Sequence, residues 1–314
     1  MIEPVRPIAI EDVEQARQRI AATVLRTPLV RFDERIWLKL ENLQPTNAYK
    51  IRGATNAVAC LSDAERAKGV WTISAGNAGQ GVAYAARQFG IPATVVAIET
   101  APQTKLDRMR ALGATIVPVS YQDAWKAAES HSFEGLEGTF VHPFDNHDFI
   151  AGHGTMGLEI LEDLPEVRTV IAAIGGGGLI TGVGSALKAR NPDVKVIGAE
   201  PETAAPYAYS LEQGSPRWFP DWQASFVDGA GGKSVTERMW QRMRPVTDGT
   251  ITVTLDEVRD AMRLIAEKSR TIAEGAGALA LAAALTGEAG EGPIVCVVSG
   301  GNIDLSKFAE LVVS

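Results

Sequence analysis

Four consecutive glycines, Gly175, Gly176, Gly177 and Gly178, stand between the apolar run Ala172-Ala-Ile and a helix-like segment beginning Leu179-Ile-Thr. Residues without a Cβ reach otherwise forbidden dihedrals and let a ligand approach the backbone closely. Their N–H groups and the following helix N-terminus converge on one point, which suits a phosphate. The usual nucleotide patterns do not fit. A G-x-G-x-x-G fingerprint started at Gly175 ends on Ile180, and one started at Gly176 ends on Thr181. Gly232-Lys233-Ser234 resembles a P-loop, but Val227 stands where its first glycine is required, so Gly229 to Ser234 reads as a flexible loop.

Three further segments narrow the choice of phosphate ligand. Trp37-Leu-Lys-Leu-Glu41 alternates like a strand and leads through Thr46-Asn47-Ala48-Tyr49 to Lys50. Ser74-Ala75-Gly76-Asn77-Ala78 joins a strand to a helix, and the apolar strand Ile294 to Val298 ends in Ser299-Gly-Gly-Asn302. A lysine, a glycine cup, an asparagine turn and a strand-end serine together suggest an aldehyde cofactor with a phosphate, pyridoxal 5′-phosphate. An ordinary lysine, with a pKa of about 10.4, is a poor nucleophile at neutral pH. Burial or a cationic neighbour lowers that value. Arg52 is two residues from Lys50, off to the side on a helix, so burial is expected to matter more. At the pyridine nitrogen, a serine hydroxyl leaves the ring less electron-withdrawing than a carboxylate would. That suits β-elimination, where departure of the leaving group drains the carbanion.

The elements that must position these residues alternate along the chain. Ile10, Val13, Ala16 and Ile20 mark an amphipathic first helix. The segment from Lys50 to Leu61 reads as a helix with Thr46 or Asn47 available as cap, and Ser62-Asp-Ala-Glu65 is a capping box. Strands are predicted over 70–73, 93–98, 115–119, 140–141, 169–174 and 194–199. Between them lie helices over 77–89, 103–112, 122–132 and 148–161. This βα alternation implies an α/β fold with mostly parallel sheets flanked by helices. Residues 46–145 are expected to form a small substrate-side domain, and 1–45 with 146–314 a large cofactor-binding one. The cofactor then sits in the cleft between them, at strand ends. Residues 201–233 are the least periodic stretch and read as a long loop, of the kind used for lids or subunit contacts.

Those four motifs, in this order over nearly the whole chain, resemble the serine/threonine dehydratase branch of the fold-type II pyridoxal-phosphate enzymes, which also includes serine racemases. The resemblance implies a tryptophan synthase β-like architecture and deamination of a 3-hydroxy-α-amino acid, with a β- or γ-replacement synthase as the alternative and a racemase or an inactive cofactor-binding relative ranked below it. It implies Lys50 as the cofactor-bonding lysine and catalytic base, Gly175 to Gly178 with Leu179 as the phosphate cup, and Ser299 as partner of the pyridine nitrogen. Asn77 is implied to bond the cofactor's phenolic oxygen, within a loop (Ser74, Ala75, Gly76, Asn77, Ala78) that holds the substrate carboxylate. Glu274 matches a segment near the cofactor and either tunes its protonation or serves as a helix N-terminal acid.

Three departures from the pattern stand out, the first two on the side expected to face substrate. Tyr49 precedes the lysine where phenylalanine is common, Ala78-Gly79 replaces His-Ala, and His153 replaces glutamine. The lost imidazole is expected to leave room for a β-substituent larger or more polar than threonine's methyl, unless Tyr49 or His153 fills it. The serine that racemases use as a second acid/base is Ala75 here, which disfavours racemisation. Glu200 matches the first ligand of the racemases' divalent-metal site, but Pro206 stands where a second carboxylate is needed, so no metal is expected.

Composition agrees with such an enzyme. The chain has 314 residues, 46% hydrophobic and 22% charged, which suits a soluble globular protein of two domains. A net charge of −8 argues against nucleic acid or an anionic membrane as partner. No apolar run approaches about 18 residues, and the N-terminus lacks an apolar signal-peptide core. Cys60 and Cys296 have neither metal nor redox spacing and are expected to be buried thiols in a reducing, cytoplasmic compartment. The expected assembly is a homodimer or homotetramer with a small amino acid as substrate.

Overall fold

The computed structural model describes residues 4–101 and 103–313. Helix α1 (Ile10–Ile20) is followed by β1 (Leu29–Arg31), β2 (Ile36–Leu40), α2 (Lys50–Ala59) and α3 (Asp63–Lys68). Next come β3 (Val70–Ile73), α4 (Asn77–Phe89), β4 (Ala93–Ile98), α5 (Gln103–Ala111), β5 (Thr115–Val119), α6 (Tyr121–Ser130) and β6 (Thr139–Phe140). The chain continues through α7 (His147–Asp163), β7 (Thr169–Ala173), α8 (Gly178–Arg190), β8 (Lys195–Pro201) and α9 (Pro206–Gln213). It then forms α10 (Glu237–Met243), β9 (Gly249–Val253), α11 (Leu255–Ser269), α12 (Gly275–Leu285), β10 (Ile294–Val298) and α13 (Leu305–Val313).

Two sheets result. A four-stranded parallel sheet runs β5-β4-β3-β6, and a six-stranded sheet runs β1-β2-β10-β7-β8-β9, parallel except for the β1–β2 pair. Strands covered on both faces read as continuous apolar runs, and β7 and β10 are buried at every residue. Helix α12 is apolar all round, as a helix inside the core must be; it is buried from Gly275 to Ala284. The predicted α/β alternation is therefore the observed one.

The larger sheet reverses its winding between β7 and β10, because β8 and β9 extend one side and β2 and β1 the other. Ligands of open α/β sheets bind at the carboxyl ends of strands beside such a reversal. The segments leaving β3, β6, β7 and β10 all line one cleft there.

Local caps explain some boundaries and correct others. Ser62 accepts from Glu65 N while Glu65 accepts from Ser62 N at 2.8 Å, so the predicted capping box opens α3. The predicted cap of α2 does not form. Asn47 takes a left-handed φ of 53°, Thr46 Oγ1 donates to Ala48 O, and the N-cap Tyr49 makes no side-chain cap. Docking on the end of β10 fixes this helix start instead: Tyr49 N donates to Ser299 O at 3.0 Å, and Gly301 N to Asn47 O at 2.9 Å. The stretch 201–233 is not wholly irregular, since α9 lies in it and ends on Gly214 at a φ of 68°. Cys296 is buried, but Cys60 is only half-buried, because it sits at the frayed end of α2.

Candidate active site

A cavity of about 380 Å³ opens at the four strand ends. Its walls include Lys50, the loop Ser74 to Ala78, Gly176 and Ser299, with Tyr49 and Glu274 beside them. A second space of about 270 Å³, lined by Gly175 and Gly176, shares Phe144, Asp228 and Gly229 with the first. The structure thus brings together residues from both sheets that lie far apart in sequence. Gly177, at a φ of 86°, is the N-cap of α8, Gly178 is its first residue, and Leu179 is buried behind it.

Lys50 is the first residue of α2, and its Nζ donates to Pro143 O at 2.7 Å. Burial pushes its pKa down to about 7. The positive end of the helix dipole, at the same place, also disfavours a cation. Arg52 points its guanidinium elsewhere, to Glu41 and Glu159. The expected primacy of burial is what the geometry shows.

Asn77 is held from both sides. Its Oδ1 accepts from Asn302 Nδ2 at 2.8 Å, and its Nδ2 donates to Glu274 Oε1 at 2.6 Å. Asn302 in turn accepts from Arg108 at 2.9 Å and donates to Thr46 O at 2.8 Å. One hydrogen of the Asn77 amide stays available for a ligand. Burial first, then the Asp228 charge, pushes the Glu274 carboxyl up to about 7. Glu274 occupies the N-cap of α12 without a side-chain cap bond, so it faces Asn77 and does not close its own helix. Gly300 permits that approach: a Cβ there would lie 2.4 Å from Glu274 Oε1.

The cup tolerates little besides glycine. A Cβ on Gly176 would lie 2.3 Å from Phe144 Cγ, and one on Gly175 would lie 2.6 Å from Gly229 O. Ser299 Oγ, at the end of β10, donates to Ala276 O at 3.3 Å and is buried at the cavity wall. A buried lysine amine, a glycine cup at a helix N-terminus, an amide and a hydroxyl match an aldehyde, a phosphate, a phenolic oxygen and a pyridine nitrogen. The donor set fits pyridoxal phosphate.

Several expected site residues are placed differently. Glu200 is buried in β8, where its carboxylate accepts from Tyr207 N and Ala208 N at 2.8 Å and so caps α9. It does not line the cavity with Lys50. Ala78, which stands where the imidazole is missing, lies on the cavity wall, and a Cβ on the following Gly79 would lie 2.6 Å from Met109 Sδ and from Ser74 O. His153 is fully buried, edge-on to Tyr49 at 4.6 Å and to Phe149 at 4.9 Å between ring centroids. Burial holds it neutral, and neither ring nitrogen has a partner among the described residues. Asn302, Pro143 and Phe144 were not singled out by sequence reasoning. For Asn302 the signal was its place after the glycines that follow β10; a main-chain oxygen such as that of Pro143 gives none.

Comparison with known proteins agrees with this donor set. The profile of the family described as "Pyridoxal-phosphate dependent enzyme" matches residues 20–300. The chain is 39% identical to the L-threonine ammonia-lyase of Thermotoga maritima, over 97% of this chain and 78% of that protein. It is 37% identical to the catabolic L-threonine dehydratase TdcB of Escherichia coli K12, over 97% and 96% of the two chains. The solved structure of maize serine racemase superposes with a TM-score of 0.90 at 33% identity, covering 97% of both chains.

Proposed function

The chain belongs to the pyridoxal-phosphate dependent enzymes, and from that premise we infer that it deaminates a 3-hydroxy-α-amino acid to a 2-oxo acid and ammonia. The observation that carries this is the buried amine of Lys50 on a cavity where residue 75, the place of the racemases' second acid/base, offers only a methyl group. Racemisation needs a second acid/base on the other face of the substrate; elimination needs one base. The relatives named for threonine deamination support the same choice.

Pyridoxal phosphate, when bound, draws off the electron pair left at the substrate Cα. We assign Lys50 to its aldehyde, Gly175 to Gly178 with Leu179 to its phosphate, Asn77 to its phenolic oxygen and Ser299 to its pyridine nitrogen. The loop Ser74 to Ala78, at the N-terminus of α4, holds the substrate carboxylate. Lys50 Nζ takes the α-proton and the β-hydroxyl departs with a proton as water. The released enamine tautomerises and hydrolyses, so that a water oxygen becomes the 2-oxo group and nitrogen leaves as ammonia. Tyr49 and Glu274 line the same space and set its polarity.

The decisive experiment supplies the holoenzyme with serine or threonine and no second substrate. Equimolar 2-oxo acid and ammonia are expected. Turnover only when another nucleophile is added makes the protein a synthase, and inversion of the α-carbon without oxo acid makes it a racemase.

The Lys50 pKa gives a pH prediction. Only the neutral amine attacks an aldehyde, so uptake of pyridoxal phosphate by the apo-protein should rise through about 7 and then level off. A solvated lysine would put the inflection near about 10.4. Glu274 titrates in the same window, so the inflection should survive in Glu274→Gln. An inflection that moves with that substitution assigns the titration to the carboxyl group and not to Lys50.

The division into a large domain (1–45 and 146–314) and a small one (46–145) is part of this proposal, and the two separate sheets support it. So are cytoplasmic residence and a homodimer or homotetramer. Both cysteines are free thiols, and Trp218, Leu305 and Val313 leave apolar surface exposed. No helix among the described residues is long and apolar enough to cross a membrane.

A further inference from the structure

A chamber of about 630 Å³ adjoins the cofactor cleft and is larger than either space within it. The chamber and the cleft share Ile73, Ser74, Ala75, Ile98, Pro143 and Phe144 as walls. They meet at the substrate loop, where Ala75 offers only a methyl group. Of this loop the chamber touches Ser74 and Ala75, and not Ala78, where the imidazole is missing.

The chemistry of the chamber is specific. Val96, Ala124 and Ala128 give it aliphatic walls, and Trp125, His142 and Phe144 give it ring faces. His142 is edge-on to Phe144, with centroids 4.5 Å apart, and its Nδ1 accepts from Asp145 N at 2.9 Å. Burial holds that imidazole uncharged, its pKa pushed down to about 3. The charged wall groups are Arg238, which is paired with Asp145, and the carboxylates of Glu129 and Glu237. Asp145 is held by both Arg238 and Arg242, which leaves the carboxylates of Glu129 and Glu237 to disfavour an anionic substituent. Rings meeting ring edges and aliphatic surface favour a neutral aromatic one.

We propose that this chamber receives the substrate's β-substituent and that the substituent is an uncharged aryl group, which makes 3-aryl-3-hydroxy-α-amino acids the preferred substrates. The proposal rests on the deamination reading given above. The space beyond Ala75 is far larger than a methyl group needs and is of a size to take a phenyl group on the β-carbon.

The test compares kcat/KM of the holoenzyme for 3-phenylserine, threonine, serine and 3-hydroxyaspartate. Phenylserine is expected to lead threonine by about tenfold or more, since even one methylene in a pocket is worth about tenfold. Ala128→Phe, on α6 and outside the catalytic machinery, fills the chamber. It should lower the phenylserine value about tenfold while leaving serine within about twofold. Calorimetry with phenylalanine and alanine, which have no β-hydroxyl to lose, gives a readout independent of turnover: phenylalanine should bind the parent more tightly. Threonine or 3-hydroxyaspartate in first place, equal loss on both substrates in Ala128→Phe, or equal binding of the two analogues overturns the proposal. If no hydroxy amino acid is deaminated, the deamination reading falls, and calorimetry still decides what the chamber accepts.

Discussion

Lys50→Ala should lower turnover by about three or more orders of magnitude while leaving the apo-protein at least as stable as the parent at neutral pH. The first half follows from losing the nucleophile and the general base in one substitution. The second follows from proton linkage. The folded amine has a pKa near 7, against about 10.4 for an unfolded lysine. Between those values the unfolded chain binds more protons, so stability falls as pH is lowered through that window and stays reduced below it. Alanine removes the titrating group and with it this penalty; the one bond forfeited is to Pro143 O. Steady-state kinetics at saturating cofactor and thermal unfolding of the apo-proteins on either side of neutrality check both halves. Activity within about tenfold of the parent would remove Lys50 from the chemistry. A large loss of stability would mean that the lysine serves the fold.

Most of the residues that the sequence singles out share one property: they lie in segments that leave a strand. Lys50 comes ten residues after the end of β2, Asn77 follows β3, the glycines follow β7 and Ser299 follows β10. Strand-end loops of parallel sheets carry distinctive residues because regular hydrogen bonding stops there, so they stand out against apolar runs. Periodicity located those runs, and it also recovered the cap of α3, which depends only on residues three apart.

What stayed hidden depends on contacts between distant segments. The Asn302–Asn77–Glu274 chain joins three separate loops, and nothing in any one of them announces the others. The start of α2 was assigned to a local cap, but the end of β10 sets it by backbone bonds. Glu200 has the residue type of a metal ligand, though no metal was expected, and its oxygens accept from two N–H groups of α9. Gly79 follows the missing imidazole, and Met109 on α5 packs where its Cβ would stand. In each case the chemistry of the residue was legible and its neighbour was not.

Arg52→Leu should destabilise the protein by about 3–5 kcal/mol near neutral pH, the usual cost of removing one partner from a buried charge network. Arg52 is fully buried on the helix that begins with Lys50. Its Nε and Nη2 donate to both oxygens of Glu41 at 2.8 Å, and Nη1 reaches Glu159 at 2.7 Å and Thr155 at 3.0 Å. Lys39 adds a second cation, with Nζ 2.6 Å from Glu159. The cluster ties the segment after β2 to α2 and α7. Leucine matches much of the volume but leaves two buried carboxylates facing a single ammonium. Burial alone would raise the Glu41 pKa; the Arg52 charge and hydrogen bonds outweigh it and hold the carboxyl below its usual value. In the parent, that pairing contributes stability above an unfolded pKa of about 4.3 and loses it as pH falls through the folded value. In the variant, burial is opposed by less positive charge, so Glu41 takes up a proton more readily. The deficit should therefore be widest above neutrality and narrow as pH is lowered toward 5. Arg52→Lys keeps the charge without the planar fork and should fall between parent and leucine. Denaturant unfolding of the three proteins across that pH range checks the order and the slope. A leucine variant within about 1 kcal/mol of the parent at every pH would mean that packing, not the ion cluster, fastens the lysine-bearing helix.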